Sequence, residues 1–115
     1  MLRQKQKIIH VLDELLNYAL KDQPRKVTIT IEDLDDRVKI TLEDEGAQVS
    51  PGDCEEAQAM LNAPHRNELS DYYGGLAGEE SFGTCSLRLV RLMVDGGTVE
   101  VCGPGMRLSV WWEQE

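Results

Sequence analysis

Four stretches of the sequence alternate apolar and polar residues, and this period of two is the strongest constraint on the fold. Successive side chains of a strand point to opposite faces of a sheet, so each stretch predicts a strand with one dry face. The polar segment 33–36 joins the first two stretches, and the Gly-Pro-Gly sequence at 103–105 joins the last two, which predicts two β-hairpins. The apolar positions are Val27, Ile29 and Ile31, then Val38, Ile40 and Leu42, then Val99 and Val101, then Met106, Leu108, Val110 and Trp112.

Helical periodicity fills the rest of the chain. Between residues 2 and 21, apolar residues cover about half of a helical wheel drawn at roughly 100° per residue, and Pro24 ends this helix. A second long helix is predicted over 86–94, stopped by Gly96 and Gly97, with Arg88 and Arg91 on its solvent side.

These elements predict one domain over residues 1–115 of the α+β class. We expect a two-layer sandwich whose four-stranded sheet is largely antiparallel or mixed and carries helices on one face. Within it, residues 50–83 are expected to form a short helix, which Ser50 or Asp53 could cap, and then a mobile lid over residues 63–82. Long loops inside compact domains are uncommon and often act as lids.

Charge and composition exclude several functions. The net charge of −9 repels phosphate backbones and anionic membranes, so we expect neither nucleic acid nor a membrane as partner. The start of the chain lacks the apolar stretch of a secretory signal, which favours a cytoplasmic protein. The three cysteines form no paired spacing typical of zinc sites or disulfide frameworks.

Three segments carry residues suited to chemistry, and each also has a structural explanation. Asp13, Asn17 and Lys21 recur every four residues on the first helix, where a carboxylate and an amide could serve Mg²⁺ or merely contact each other. Asp44 precedes Gly46 at the end of a strand, as a site for an amine or as an ordinary acidic turn. The sequence at 82–86 precedes the second long helix, where it could bind an anion or cap the helix.

Together, the order of these segments resembles the GHKL superfamily of ATPases, which includes the ATP-binding domains of histidine kinases and anti-sigma serine kinases. The sequence DELLNYA at 13–19 is similar to the N box of that family, and DEG at 44–46 is similar to its aspartate-x-glycine motif. The glycine-rich lid and following helix are matched more loosely by residues 83–95, and the last hairpin by residues 97–112. The resemblance implies a Bergerat-type ATP-binding fold with ATP and Mg²⁺ as cofactors.

The resemblance also implies roles for individual residues. Asn17 would coordinate Mg²⁺, Asp13 would orient or activate the attacking group, and Asp44 would accept a hydrogen bond from the adenine amine. The other residues implied to bind the cofactor are Lys21, Gly46, Gly83, Thr84 and Ser86.

The function that follows is an ATP-binding regulatory module in signal transduction that either hydrolyses ATP slowly or transfers its γ-phosphoryl group to a regulatory protein partner. The alternative is a degenerate, non-catalytic interaction domain, because Gln48 stands where the family has a further glycine and a single Gly83 precedes the second long helix. A generic acidic α/β domain with accidental motifs is a third reading. The oligomeric state is left open, with a homodimer as one option.

Overall fold

The structure is a computed structural model that describes residues 4–21, 23–46, 51–63, 82–102 and 105–114. The predicted lid therefore lies almost entirely outside the described residues. The elements in chain order are α1 (Lys5–Leu20), β1 (Lys26–Asp33), β2 (Arg37–Glu45), α2 (Pro51–Leu61), α3 (Phe82–Arg91), β3 (Gly96–Cys102) and β4 (Gly105–Glu113).

The four strands form one sheet in the order β1-β2-β4-β3, and every neighbouring pair is antiparallel. Ile40 at the centre of β2 lies opposite Ile31 of β1 and Val110 of β4. This register brings the predicted apolar positions of all four strands onto the same face of the sheet. Both predicted hairpins are therefore confirmed.

The helices cover that apolar face, which confirms the predicted α+β class. Helix α1 buries one stripe of side chains against the core, and the largest fully buried side chain is that of Trp112. The opposite face of the sheet is polar at its centre, where the Thr41 and Ser109 hydroxyl oxygens lie 3.3 Å apart. The buried side chains of α1 are Ile8, Val11, Leu15, Tyr18 and Ala19.

Helix α3 differs from the sequence-based prediction in its position and in the face it buries. It begins at Phe82 and ends at Arg91, while Gly96 and Gly97 lie in β3. The expectation that Arg88 and Arg91 face solvent is wrong, because their side chains are buried.

The contacts of the Arg91 guanidinium explain its burial. Nε donates to the carbonyl of Ala63, and Nη1 donates to the carbonyls of Val94 at 3.0 Å and Asp95 at 2.9 Å. Desolvation lowers the pKa of Arg91, and the charge of Asp95 opposes this shift. Hydrogen bonds to otherwise unsatisfied carbonyls offset much of the cost of burying a cation. This one side chain therefore fastens the ends of α2 and α3 together.

Helix α2 lies along β3 and hydrogen-bonds to the outer edge of that strand. Asn62 Nδ2 donates to the Gly97 carbonyl at 2.8 Å, and its Oδ1 accepts the Gly97 N–H at 3.3 Å. Gln58 Oε1 accepts the Val99 N–H at 3.1 Å. A Cβ on Gly97 would lie 2.9 Å from Leu61 Cδ1, so the close approach of α2 requires glycine here. Among the helices described, none is long and apolar enough to cross a membrane.

Candidate functional site

A cleft of about 270 Å³ opens between the C-terminal end of α1, helix α2 and the middle of α3. Of the residues predicted to form the site, Lys21 is the one that appears in the described lining of this cleft. Its described lining combines apolar and polar side chains. The described residues that line it are Tyr18, Lys21, Asp53, Glu56, Ala57, Met60 and Leu87.

The cleft brings one cation and two carboxylates together in its described lining. The Lys21 ammonium lies 4.6 Å from the centroid of the Tyr18 ring, a cation–π distance that holds the charge at the mouth of the cleft. Asp53 and Glu56 enter from α2. Since carboxylates repel phosphate, a polyphosphate ligand is accommodated best when it carries a bound cation of its own.

Asp44 is a buried carboxylate at the end of β2. Its position continues the dry face of the strand, opposite Val27 in β1, so the side chain points to the helix-covered side and is 4% exposed. Oδ1 accepts the backbone N–H of Met106 at 3.0 Å. Burial first, and then the charges of Asp53 and Asp44, raise the pKa of the Cys54 thiol on α2. Asp44 therefore lies close to the base of α2.

Two glycines shape the backbone around this carboxylate. A Cβ on Gly105 would collide with the carbonyl oxygen of Asp44, so glycine is required where β4 begins. Gly46 has a φ of 91° and its Cβ position lies 3.0 Å from Arg25 Cβ. Gly46 is exposed in the turn after β2, where glycine adopts this φ without strain.

Asn17 is held by a residue that the sequence motif does not single out. Its Nδ2 donates to Glu14 Oε1 at 3.1 Å, which leaves Oδ1 as the acceptor atom of the amide. Glu14 lies three residues before Asn17, and residues at this spacing are neighbours on a helix surface. That spacing is the signal by which Glu14 could have been identified.

Asp13 lies in a different depression. It is exposed and lines a space of about 260 Å³ between the middle of α1 and the C-terminal end of α3 with the residues that follow it. Asp13 lies on α1 and Lys21 directly follows its last residue, but the two side chains border different spaces. The described residues of this second depression are His10, Asp13, Glu14, Leu89, Leu92 and Met93.

The predicted phosphate-binding segment is helical. The expectation that residues 82–86 precede the helix is wrong, since α3 begins at Phe82. Gly83 and Thr84 fall in the first turn, where backbone N–H groups have no partner within a helix. Ser86 is the fifth residue of α3 and is 2% exposed, so it is buried within the packed part of the helix.

The described residues contain no cluster of three or more His, Cys, Asp or Glu side chains that could hold a metal ion. An octahedral Mg²⁺ commonly takes one or two protein oxygens and completes its shell with water and phosphate. The Asn17 Oδ1 atom and the neighbouring Glu14 carboxylate are oxygen donors of the type that this mode of binding uses.

Comparison with known families agrees with this architecture. The family model for histidine kinase-, DNA gyrase B- and HSP90-like ATPases matches residues 3–115. A comparison with curated proteins found no match. The match spans nearly the whole chain, and the open antiparallel sheet with helices on one face is consistent with that fold. The chain therefore belongs to the histidine kinase-, DNA gyrase B- and HSP90-like ATPase family.

Proposed function

We propose that this chain is an ATP-binding regulatory module in which Asp44 recognises the adenine amine. The observation that carries the proposal is the burial of the Asp44 carboxylate, which is 4% exposed on the helix-covered side of the sheet. A buried carboxylate costs free energy and is retained most often where its charge or acceptor atoms serve a function. An exocyclic amine is a matching donor.

The backbone beside Asp44 supports this assignment. The Met106 N–H fixes the orientation of the carboxylate through Oδ1, and Gly105 keeps the start of β4 free of a side chain at that point. Preorganised acceptors bind better than mobile ones, because less rotamer entropy is lost when the ligand arrives. Gly46, in the turn after β2, is proposed to complete the adenine side of the site.

The remaining residues are proposed to hold the phosphates and the magnesium ion. Asn17 Oδ1 would be a magnesium ligand, with Glu14 beside it, and bound Mg²⁺ would neutralise phosphate charge. Lys21 at the mouth of the cleft would contact phosphate. The N-terminal turn of α3, at Gly83 and Thr84, offers N–H groups and the positive end of the helix dipole.

Asp13 is proposed to orient or activate the attacking group. It is exposed and borders the depression between α1 and α3, which Glu14 also lines. A general base acts within hydrogen-bond reach of the proton that it removes. We propose ATP binding with slow turnover, in which occupancy controls a regulatory protein partner. We further propose that the chain transfers the γ-phosphoryl group of ATP to that partner.

The second candidate is a degenerate interaction domain that has lost productive ATP binding. The observation in its favour is the pair of carboxylates, Asp53 and Glu56, that share the cleft with Lys21. Without magnesium, these charges would repel a triphosphate. Under this alternative, partner binding does not depend on nucleotide.

Calorimetric titration with ATP and Mg²⁺ distinguishes the two candidates. We expect saturable heats for the unaltered chain and a loss of about 10- to 100-fold in affinity for Asp44→Ala, the equivalent of a hydrogen bond to a charged group. GTP, which has a carbonyl in place of the adenine amine, should bind as weakly as ATP binds to the variant. Flat heats at millimolar ATP would reject ATP binding and favour the degenerate domain.

Glu43→Ala is the matched control for this experiment. Glu43 is the adjacent residue of β2, points to the opposite face, and its carboxylate pairs with Arg107 at 3.5 Å on the exposed side. Its removal changes the charge by the same amount and should leave ATP affinity unchanged. Equal losses for the two variants would show that net charge, and not the buried carboxylate, governs binding. ATP labelled at its γ-phosphate, incubated with the chain and a cell extract, then tests whether the phosphoryl group is transferred to a protein.

A further inference from the structure

The two edges of the sheet differ in how their backbone groups are satisfied. At the β3 edge, α2 supplies Asn62 and Gln58 to the outward groups of Gly97 and Val99. At the β1 edge, no backbone hydrogen bond from the described residues reaches the outer side of the strand. Exposed edge strands are templates for pairing with another chain, and proteins usually cover or interrupt them.

Strand β1 is well formed for such pairing. It runs for 8 residues in unbroken register with β2 and contains no proline. Beyond its end, the Leu34 N–H donates to the Arg37 carbonyl at 2.9 Å, which marks Leu34 and Arg37 as a hydrogen-bonded pair. Hydrogen-bonded positions alternate along an antiparallel ladder. The backbone groups of Val27, Ile29 and Ile31 therefore point outward.

We propose that this edge binds a second copy of the chain by antiparallel pairing of β1 with β1 about a two-fold axis at Ile29. In this register Ile29 faces its own copy, Val27 faces Ile31, and Thr28 faces Thr30. Lys26 faces Glu32 on both sides of the axis. All outward backbone groups of the three apolar residues find partners, and both copies keep their helices on the same face of the joined sheet.

Charge complementarity selects this register from the others that the outward groups allow. A shift of the pairing by two residues in either direction would place Lys26 opposite Thr30 or Leu34, with no ion pair. Lys26 and Glu32 are both exposed on the polar face, so their charges are available to a partner strand. Because each copy carries a net charge of −9, association requires such local attraction.

Burial on the other face favours the same contact. Val27, Ile29 and Ile31 pack against the core but stay partly exposed, whereas Val38, Ile40 and Leu42 in the neighbouring strand are buried. Pairing would cover the exposed part of these three side chains with their own counterparts. An isologous contact of this kind closes after two copies and does not continue into a fibre.

Sedimentation equilibrium of the full chain over a range of concentrations tests the proposal, without nucleotide. We expect a monomer–dimer equilibrium for the unaltered chain. Lys26→Glu or Glu32→Lys alone turns two attractive pairs into two repulsive ones and should weaken dimerisation by about tenfold or more. The double variant, Lys26→Glu with Glu32→Lys, should restore it.

The double variant also separates pairing between copies from the stability of the monomer. Within one chain, Lys26 faces Glu45 and Glu32 faces Lys39, so the exchange makes both internal pairs repulsive while it restores the pairs between copies. Thermal unfolding measures that internal cost. Arg107→Glu, a charge reversal on β4 of the same polar face, is the control and should leave dimerisation unchanged.

Three results would overturn the proposal: a monomer at every concentration, dimerisation indifferent to both single reversals, or no recovery in the double variant. The result does not depend on ATP, so it stands or fails separately from the proposed nucleotide site.

Discussion

The Asp44 carboxylate accepts the backbone N–H of Met106 at 3.0 Å and so joins the end of β2 to the beginning of β4. The contact lies on the helix-covered side of the sheet, where both side chains are almost fully buried. One buried carboxylate thereby connects the two strands at this end of the sheet. It also places an acceptor oxygen near the N-terminal half of α2. A structural role and the proposed binding role meet in the same side chain, and the two are separable by substitution.

Replacing Asp44 with alanine should destabilise the fold even without ligand. The Met106 N–H would lose its partner in a buried position, and an unsatisfied buried group costs about 1–3 kcal/mol. Asp44→Asn keeps an oxygen at the same place, so its loss in the free energy of unfolding should be smaller. Urea denaturation measures both, with Glu43→Ala expected within about 0.5 kcal/mol of the unaltered chain. An alanine variant as stable as the parent would contradict this prediction.

Gly105→Ala should also lower the free energy of unfolding. The added methyl group would collide with the backbone carbonyl of Asp44, which is held in the β1–β2 ladder opposite Val27. Overpacking of this kind costs about 1–3 kcal/mol. Gly52→Ala, on the exposed surface of α2, is the control, and we expect it to be neutral or stabilising because alanine favours helix. Equal thermal midpoints for both variants would refute the steric argument.

Arg91→Lys should destabilise the protein although it retains the charge. A lysine ammonium lacks the planar fork with which the guanidinium donates to the carbonyls of Ala63, Val94 and Asp95. We expect a loss of about 1.5–3 kcal/mol in the free energy of unfolding, the range for hydrogen bonds to charged groups. Arg107→Lys, at an exposed ion pair, should change it by less than about 0.5 kcal/mol. The prediction fails if the two substitutions have the same effect.

Cys54 gives a prediction for alkaline pH. Burial, followed by the charges of Asp53 and Asp44, raises the pKa of this thiol above its ordinary value of 9.0. A group whose pKa is higher in the folded state contributes stability fully below the unfolded pKa, and that contribution is lost as pH rises through the folded pKa. Native Cys54 should therefore react slowly with alkylating reagents at neutral pH.

Comparison with Cys54→Ala isolates this alkaline effect. Between pH 7 and about 9 the difference in free energy of unfolding between parent and variant should be constant, and above that range it should shift against the parent. Denaturant titrations at several pH values measure the difference. A difference that does not change with pH would show that the thiol has the same pKa in the folded and unfolded states.

The alternating segments illustrate how far the sequence reaches. Period-two patterns such as Val38, Ile40 and Leu42 fix which side chains share a face, since that alternation is a local property of an extended backbone. The same local argument predicted α1 and the α+β class. Helix α3 and the residue after it show the opposite case: Leu89 and Leu92 are 40% and 54% exposed while Arg88 and Arg91 are buried.

The candidate site divides in the same way. The resemblance selected Asp44, Asn17 and Lys21. The positions of these residues in the sequence do not tell which cleft or depression each side chain borders. The fold separates Asp13 from the cleft and pairs Asn17 with Glu14. Helix α3 begins at Phe82, so the segment predicted to precede that helix forms its first turn.

The sequence by itself determined the strands, the first helix and the apolar face of the sheet, because each depends on a repeat that neighbouring residues express together. Tertiary structure alone decided which charged groups are buried and which sheet edge is covered. These outcomes depend on partners far along the chain, such as the Ala63 carbonyl that accepts from Arg91 and the edge of β3 that binds Asn62. Hydrophobicity patterns reflect the free energy of transferring a side chain out of water. They contain no information about the hydrogen bonds that offset the cost of burying a polar side chain.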